Sequence, residues 1–309
     1  MVRVGIAHDP RGKRGVENFL KQVRKDYNKL PSKEKKGFDK ERLTNPYSDS
    51  RILCGSPSKE IKNIIVGIDM ETPEILLADT LRKRGKKIDL VLSHHPEGFA
   101  LSALYNVMNI QLDILEDVGV PRLKAKKLLD EKIGEVTRKL HPANVMRPLD
   151  AACILGIPLM CAHTVADNCV SVYLNELIKK KKPKTVQDVI DLLENEPEYS
   201  RAIPNGAGPQ ITLGKASNKC GKVIVEMTGG TGGSKKIYPE LVKAGVKTII
   251  AMHMSEDHFK KARKHKLNII IAGHMASDSL GLNILLDKVD KKGKFNIIPC
   301  SGFIRVNRK

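Results

Sequence analysis

Asp89-Leu90-Val91-Leu92-Ser93-His94-His95-Pro96 decides the reading of this chain, because an apolar run of single-strand length ends there on two histidines and a proline. Upstream, Ile64-Ile65-Val66-Gly67-Ile68-Asp69 is a second such run, and residues 73–84 between them carry apolar positions at helical spacing. Strand, helix and strand make a βαβ unit with parallel strands. His94 and His95 then lie just past a strand's carboxyl end, which is where open α/β sheets place ligands.

The same grammar recurs along the chain. Ile157-Pro158-Leu159-Met160-Cys161-Ala162 reads as a buried strand that delivers His163 and Asp167 ahead of a helix over 169–179. In the second half, strands at 223–227, 248–252 and 268–272 alternate with helices at 239–244, 257–264 and 279–288. That order implies a mainly parallel sheet. Residues 100–157 are helical by period, with Leu112, Leu115, Leu123, Leu128, Leu129 and Ile133 among charges. The first sixty residues read as a basic extension: an amphipathic Lys-rich helix at 16–29, a charge-rich stretch at 31–42, a polar loop from Asn45 to Ser50 and a short strand at 51–55. Lys179-Lys180-Lys181-Lys182-Pro183-Lys184 and Pro204-Asn205-Gly206-Ala207-Gly208-Pro209 mark a break. The expected layout is therefore an extension at 1–60, a first α/β domain at 61–205 with a helical insertion at about 100–157, and a second α/β domain at 206–309.

The chain has 309 residues and a formal charge of +19, ample for a buried core. No stretch approaches the roughly 20 apolar residues that span a bilayer, and no leader is legible, so a cytoplasmic protein without membrane contact is expected. Six cysteines form no CxxC pair, which gives no signal for a zinc ribbon or a redox motif; Cys161 and Cys169 lie near the histidines but read as core residues. A field of +19 attracts phosphates and nucleic acids. The chain has no Trp and six each of Tyr and Phe, without an aromatic-interleaved basic face for stacking bases. Lysine-dominated charge also suits a thermophile's surface, and nucleic-acid binding is the less favoured reading.

His94 and His95 would point to opposite faces within a strand, but beyond it, where Pro96 stiffens the exit, both can turn to one cavity. His274-Met275-Ala276-Ser277-Asp278 follows another strand end, and its i, i+4 spacing sets imidazole and carboxylate on one helical face. His163 and Asp167 repeat that relation, with helix capping as the alternative role. Carboxylates suit such a site because bridging oxygen offsets the repulsion of two divalent ions some 3.5–4 Å apart. His253 and His258 are candidates for supporting such ligands by hydrogen bonds. Thr228-Gly229-Gly230-Thr231-Gly232-Gly233-Ser234 lies between a strand and a helix, where small residues admit an anion to backbone N–H groups; Lys235 and Lys236 follow it. It matches neither GxxxxGK[ST] nor GxGxxG, and a tight turn without a ligand fits it equally.

The stretches 89–96 (DLVLSHHP), 162–167 (AHTVAD) and 272–282 (AGHMASDSLGL) resemble, in order, the motifs of the Nif-three-like family, also known as GTP cyclohydrolase type-two homologues. The strand bearing Asp69 and the Gly-rich loop agree, and the resemblance covers roughly residues 51–178 and 220–306. It implies two α/β domains with mainly parallel sheets facing a shared dinuclear metal site, in a ring-like homo-oligomer, commonly a hexamer. Carried over by motif, the ligands are His94, His95, Asp167, His274 and Asp278, with the carboxylates as bridges. The family usually has Glu where Asp278 stands, one methylene longer. Its usual TG-acid stretch appears here as Met252-His253-Met254, while His258 falls on a recurrent family histidine.

These features together favour a metal-dependent hydrolase of a nucleotide or other anionic small molecule, using two divalent ions drawn from zinc, iron or manganese. GTP cyclohydrolase activity rests on the resemblance alone. The alternatives are a non-catalytic metal-binding or partner-binding regulator with the same ligands, and a nucleic-acid-associated protein in which charge matters more than metal.

Overall fold

The computed structural model describes residues 1–291 and 293–308. Strands β1 (Ile52–Cys54), β2 (Asn63–Gly67), β3 (Leu90–Ser93), β4 (Leu159–Cys161), β5 (Gln210–Leu213), β6 (Lys222–Glu226), β7 (Val246–Ala251), β8 (Asn268–Ile271) and β9 (Asn296–Pro299) form two sheets, ordered β1-β4-β3-β2-β9 and β5-β8-β7-β6. The edge strands β1 and β5 are antiparallel to their neighbours; every other pairing is parallel.

β2 and β3 are almost continuously apolar because both faces of their sheet are covered. Successive side chains alternate between two cores. Ile64, Val66, Leu90 and Leu92 enter the core built with helices Thr164–Lys181 and His274–Val289. Ile65 and Val91 face the other way, toward helices Thr72–Lys83 and Arg147–Ile154. The second sheet divides likewise. Val225, Ile250 and Ile270 join the first of these cores, so the two long helices are shared between the sheets. Ile224, Ile249 and Ile269 pack instead with Leu112, Leu128 and Leu129 of the helical insertion. An insertion that leaves the chain between two strands of one sheet thus covers the other sheet, tying the halves together.

Two readings from sequence change here. The first sixty residues are not an appendage throughout: Val2–Ala7 is a helix against the Thr164–Lys181 helix, Tyr47 and Asp49 are fully buried, and β1 pairs with β4. Residues after 206 do not all belong to the second sheet, because β9 returns to pair in parallel with β2. β5 and β9 carry no strong local pattern, being half-exposed edges whose places depend on distant partners. Among the described residues no helix is long and apolar enough to cross a membrane.

The two shared helices cross closely at Gly281, where a Cβ would lie 2.5 Å from the Ala166 carbonyl oxygen. This contact draws Asp278, one turn earlier, toward Asp167. At the start of the same helix Gly273 has φ +104, and a Cβ there would lie 2.4 Å from the carbonyl oxygen of Ala207. Only glycine turns the chain at that point. Replacing Gly281 by alanine is expected to cost about 1–3 kcal/mol by forcing the helices apart. Thermal denaturation should show a lowered Tm, whereas Gly134→Ala, on a helix surface where only the end of the Arg138 side chain lies near, should be neutral or stabilising.

Candidate metal centre

His94 and His95 continue the strand pairing beyond β3, their N–H groups donating to the carbonyls of Gly67 and Ile68 at 2.9 Å each. The two rings nevertheless face a common region, with centroids 5.2 Å apart. Each ring is fixed through Nδ1. That of His94 meets the Ala162 carbonyl oxygen at 3.2 Å, and that of His95 meets Asp69 Oδ1 at 2.6 Å. Both partners are acceptors, so in the neutral form of each ring Nδ1 carries the proton and Nε2 offers its lone pair. Such an arrangement orients an imidazole for a metal.

The two carboxylates arrive from helix starts. Asp167 sits in the first turn of Thr164–Lys181, where exposed N–H groups and the helix dipole favour negative charge, and Asp278 lies just past the first turn of His274–Val289. His94 Nε2 lies 3.4 Å from Asp167 Oδ1 and 3.3 Å from Asp278 Oδ1. Asp278 Oδ2 lies 3.5 Å from His95 Nε2 and equally 3.5 Å from His274 Nε2. None of His94 Nε2, Asp167 Oδ1 or either Asp278 oxygen has a hydrogen-bond partner, although all are buried. Buried polar atoms left unpaired are costly and rare, and here they converge. Their donor atoms fall into the groups His94–Asp167–Asp278 and His95–His274–Asp278, with Asp278 common to both, and a further group is His94–His95–His163. These buried imidazole and carboxylate groups could hold a metal ion.

Charge follows the same geometry. Burial alone would keep His94 neutral, but Asp278 and Asp167 outweigh it and push the imidazole up to about 10. Burial likewise opposes ionisation of Asp278, and the surrounding imidazoles overcome this, holding the carboxyl far below its ordinary range. His274 is pushed down to about 4, by burial first and then by neighbouring imidazoles against the pull of Asp278. Anionic Asp278 thus lies between His94, drawn toward its cationic form, and a neutral His274.

His163 joins the site through a residue that sequence reasoning missed. Its Nδ1 lies 2.9 Å from Asp49 Oδ2, which also accepts from Thr164 Oγ1 at 2.6 Å, and its Nε2 lies 3.7 Å from Asp167 Oδ2. Asp49 is fully buried, in a segment read as an extension, and no spacing signal linked it to His163. His253 lies beside His274, ring centroids 4.8 Å apart. His258 lies elsewhere: it bonds Tyr238 at 2.8 Å and lines a separate charged groove with Glu131, Lys235 and Asp257. Cys161 and Cys169 are buried in the core and belong to none of the metal-competent groups.

A cavity of about 430 Å³ opens beside the metal groups, lined by His95, His163, Asp167, His253 and His274 at one part of its wall. Gly230, Gly232 and Gly233 line it too, and Gln111 Nε2 donates to the carbonyls of Gly229 and Thr231, so the insertion holds the Gly-rich loop. The next helix begins only at Tyr238. Lys235 and Lys236 are paired with Asp257 and Glu131, outside this cavity. Glu226, at the carboxyl end of β6, faces the cavity and is pushed up to about 7 by burial. A raised carboxyl keeps its proton in the folded state after the unfolded chain, with its ordinary value of 4.5, has released it. Stability is therefore lost as pH rises from that value through about 7. Glu226→Gln removes this loss, so its Tm should match wild type near pH 4.5 and exceed it by several degrees above pH 7, as read by calorimetry.

No family model and no curated protein matches the sequence. Solved structures do. A NIF3 superfamily protein from Sphaerobacter thermophilus superposes with a TM-score of 0.71 at 25% identity, covering 82% of this chain and 91% of that one. Reduced HcgD from Methanocaldococcus jannaschii superposes at 0.52 with 15% identity, over 81% and 88% of the two chains, a likeness of fold alone. Shared architecture across most of both chains, together with the ordered histidine and aspartate motifs, supports a Nif3-like assignment for this chain.

Proposed function

We propose that the chain binds two divalent metal ions and acts as a metal-dependent hydrolase of a nucleotide or other anionic small molecule. The observation that carries the reading is the sharing of Asp278 between two ligand groups, His94 and Asp167 on one side and His95 and His274 on the other. A carboxylate with one oxygen toward each group is what a bridged pair of cations needs. Mixed imidazole and carboxylate donors suit zinc, iron or manganese. When bound, paired ions lower the pKa of water and neutralise charge developing on an oxyanion.

The chain supplies the rest. His163, held by Asp49 through Nδ1, presents Nε2 beside the ligands, placed to take or return a proton. Glu97 lines the same cavity, and burial followed by the charges of Glu71 and Asp69 pushes its carboxyl up to about 7. A carboxyl near neutrality can exchange a proton with a leaving group. Asp69 and the Ala162 carbonyl hold the histidine pair in a single tautomer. The Gly-rich loop, fastened by Gln111, bounds the space in which the substrate lies. A ring-like homo-oligomer, expected from the resemblance, belongs to the same proposal.

Elemental analysis of the purified protein is expected to give two divalent ions per chain, falling to one or none in His94→Ala and to none in Asp278→Asn. Chelation should lower Tm, since ligands that bind only the folded state stabilise it. Wild type loaded with two ions should hydrolyse at least one member of a nucleotide and phosphoester panel, and His94→Ala and Asp167→Ala should lose at least about 100-fold in rate. Absence of metal from every preparation overturns the centre; metal without turnover across the panel overturns the hydrolase and leaves a binding protein.

A further inference from the structure

The cavity beside the metal groups has a wall of two kinds. Its ionic groups come from strand ends: Asp69, His95 and Glu97 just beyond β2 and β3, His163 and Asp167 beyond β4, and His274 beyond β8. Its aliphatic groups come from the helical insertion and the strand that the insertion covers. Leu104, Ile114, Leu128 and Leu129 line it together with Ile224 of β6 and Ile237, which precedes the helix Tyr238–Lys243. Leu128, Leu129, Ile224 and Ile237 are buried in the core shared by the insertion and the second sheet, so the cavity runs from the metal groups into that core. Glu226 interrupts the aliphatic part, and burial pushes its carboxyl up to about 7, the shift expected where the surroundings favour the uncharged form. Among the described residues no Lys, Arg, Phe, Tyr or Trp lines the cavity.

An aliphatic wall rewards whatever apolar area it takes from water, and it makes no directional demand. A saturated chain meets that condition. A flat polar ring is served less well, because its faces find no Phe, Tyr or Trp to stack on and its polar edge needs hydrogen-bond partners. The amide of Gln111, which also lines the cavity, is already committed to the carbonyls of Gly229 and Thr231. A negative charge finds no cation at the aliphatic end, so an anionic group on the same ligand is left to the imidazoles and bound ions of the other end. The volume of about 430 Å³ lies within the range of roughly 300–1,000 Å³ usual for small-molecule sites, which is room for both parts of such a ligand.

We propose that the cavity binds an anionic amphiphile, with a phosphate-type head at the metal groups and an unbranched saturated chain along the leucines and isoleucines of the insertion. The placing of the head rests on the hydrolase reading, whose substrate it narrows to alkyl phosphates. The placing of the chain stands without it.

Titration calorimetry of the full-length, metal-replete protein with ethyl-, butyl-, hexyl- and octylphosphonate tests this, the C–P bond keeping each probe intact. Affinity is expected to rise about threefold for each methylene added from ethyl to hexyl, the gain for carrying a CH₂ out of water. Ile114 is half-buried, and Ile114→Gln sets an amide on the wall there. It should weaken hexylphosphonate about tenfold and ethylphosphonate little. Ile114→Val should bind both as wild type does, with thermal denaturation confirming the fold of each variant; if Ile114→Gln does not fold, the wild-type series alone decides. A series that is flat in chain length overturns the proposal, and so does a loss in Ile114→Gln shared equally by the ethyl and hexyl probes. Adenosine 5′-monophosphate binding as tightly as hexylphosphonate also overturns it, assigning the cavity to a ring, and hexylamine binding more tightly than hexylphosphonate assigns it to a cation. In Asp278→Asn every affinity should fall by a common factor with the chain-length slope kept. A slope without turnover of the matching alkyl phosphates removes the hydrolase and leaves the chain site standing, whereas phosphoester turnover with a flat series does the reverse.

Discussion

Asp278 is buried with both carboxylate oxygens unpaired, and each faces imidazole nitrogen rather than a hydrogen-bond donor of the backbone. Burying a carboxylate without compensation is prohibitively costly, and Asp167 stands close by with the same need. Two features offset part of the cost without any added ion. Asp167 occupies the first turn of a long helix, where the dipole favours negative charge, and His94 is drawn toward its cationic form between the two carboxylates. What remains is an arrangement of anionic oxygens and inward-facing nitrogens whose mutual distances of 3.3–3.5 Å suit atoms that share a central partner more than atoms bonded to each other.

Much of the fold can be understood as the means of bringing these groups together. Parallel strands send their carboxyl ends the same way, so β3 and β4 present His94, His95 and His163 on one side of the first sheet. The second sheet contributes His274 from the end of β8 and Glu226 from the end of β6. Neither sheet alone holds the set. The shared helices close the distance, and their crossing at Gly281 permits a backbone approach that any side chain would block. That close approach lets the short Asp278 carboxylate reach both ligand groups. Tyr47 adds a cross-link from the N-terminal segment: its hydroxyl donates to Asp9 and accepts from Asn168, which follows Asp167, and Asn168 in turn accepts from Thr228 at the start of the Gly-rich loop.

The residues that the structure brings together were legible because each follows a short apolar run, and a strand end is a local signal. His94 and His95, Asp167, and His274 with Asp278 all carry it, and i, i+4 spacing placed each later pair on one helical face. Asp49 had no such signal, since its partner His163 is 114 residues away and no spacing connects them. β9 is similar: four residues cannot announce that they pair with β2 from the other end of the chain. Glu226 was readable in principle, as a carboxylate closing a strand whose three middle residues are aliphatic, but the glycines after it drew the reading toward anions. His258 shows the converse. Its position suggested support for the metal ligands, yet it bonds Tyr238 and lines a different groove.

The charge of the protein and the charge of its cavity have opposite signs, and the difference constrains how any anionic ligand could bind. A strongly basic surface raises the local concentration of anions and speeds their encounter, a long-range effect that salt screens over about 10 Å. Inside the cavity that field gives way to short-range groups, and these are carboxylates and imidazoles. The lysines that follow the Gly-rich loop do not reverse this, because both are committed to carboxylates outside it. A ligand drawn in by the surface therefore meets carboxylates, imidazoles and apolar side chains in the cavity wall, and no lysine or arginine.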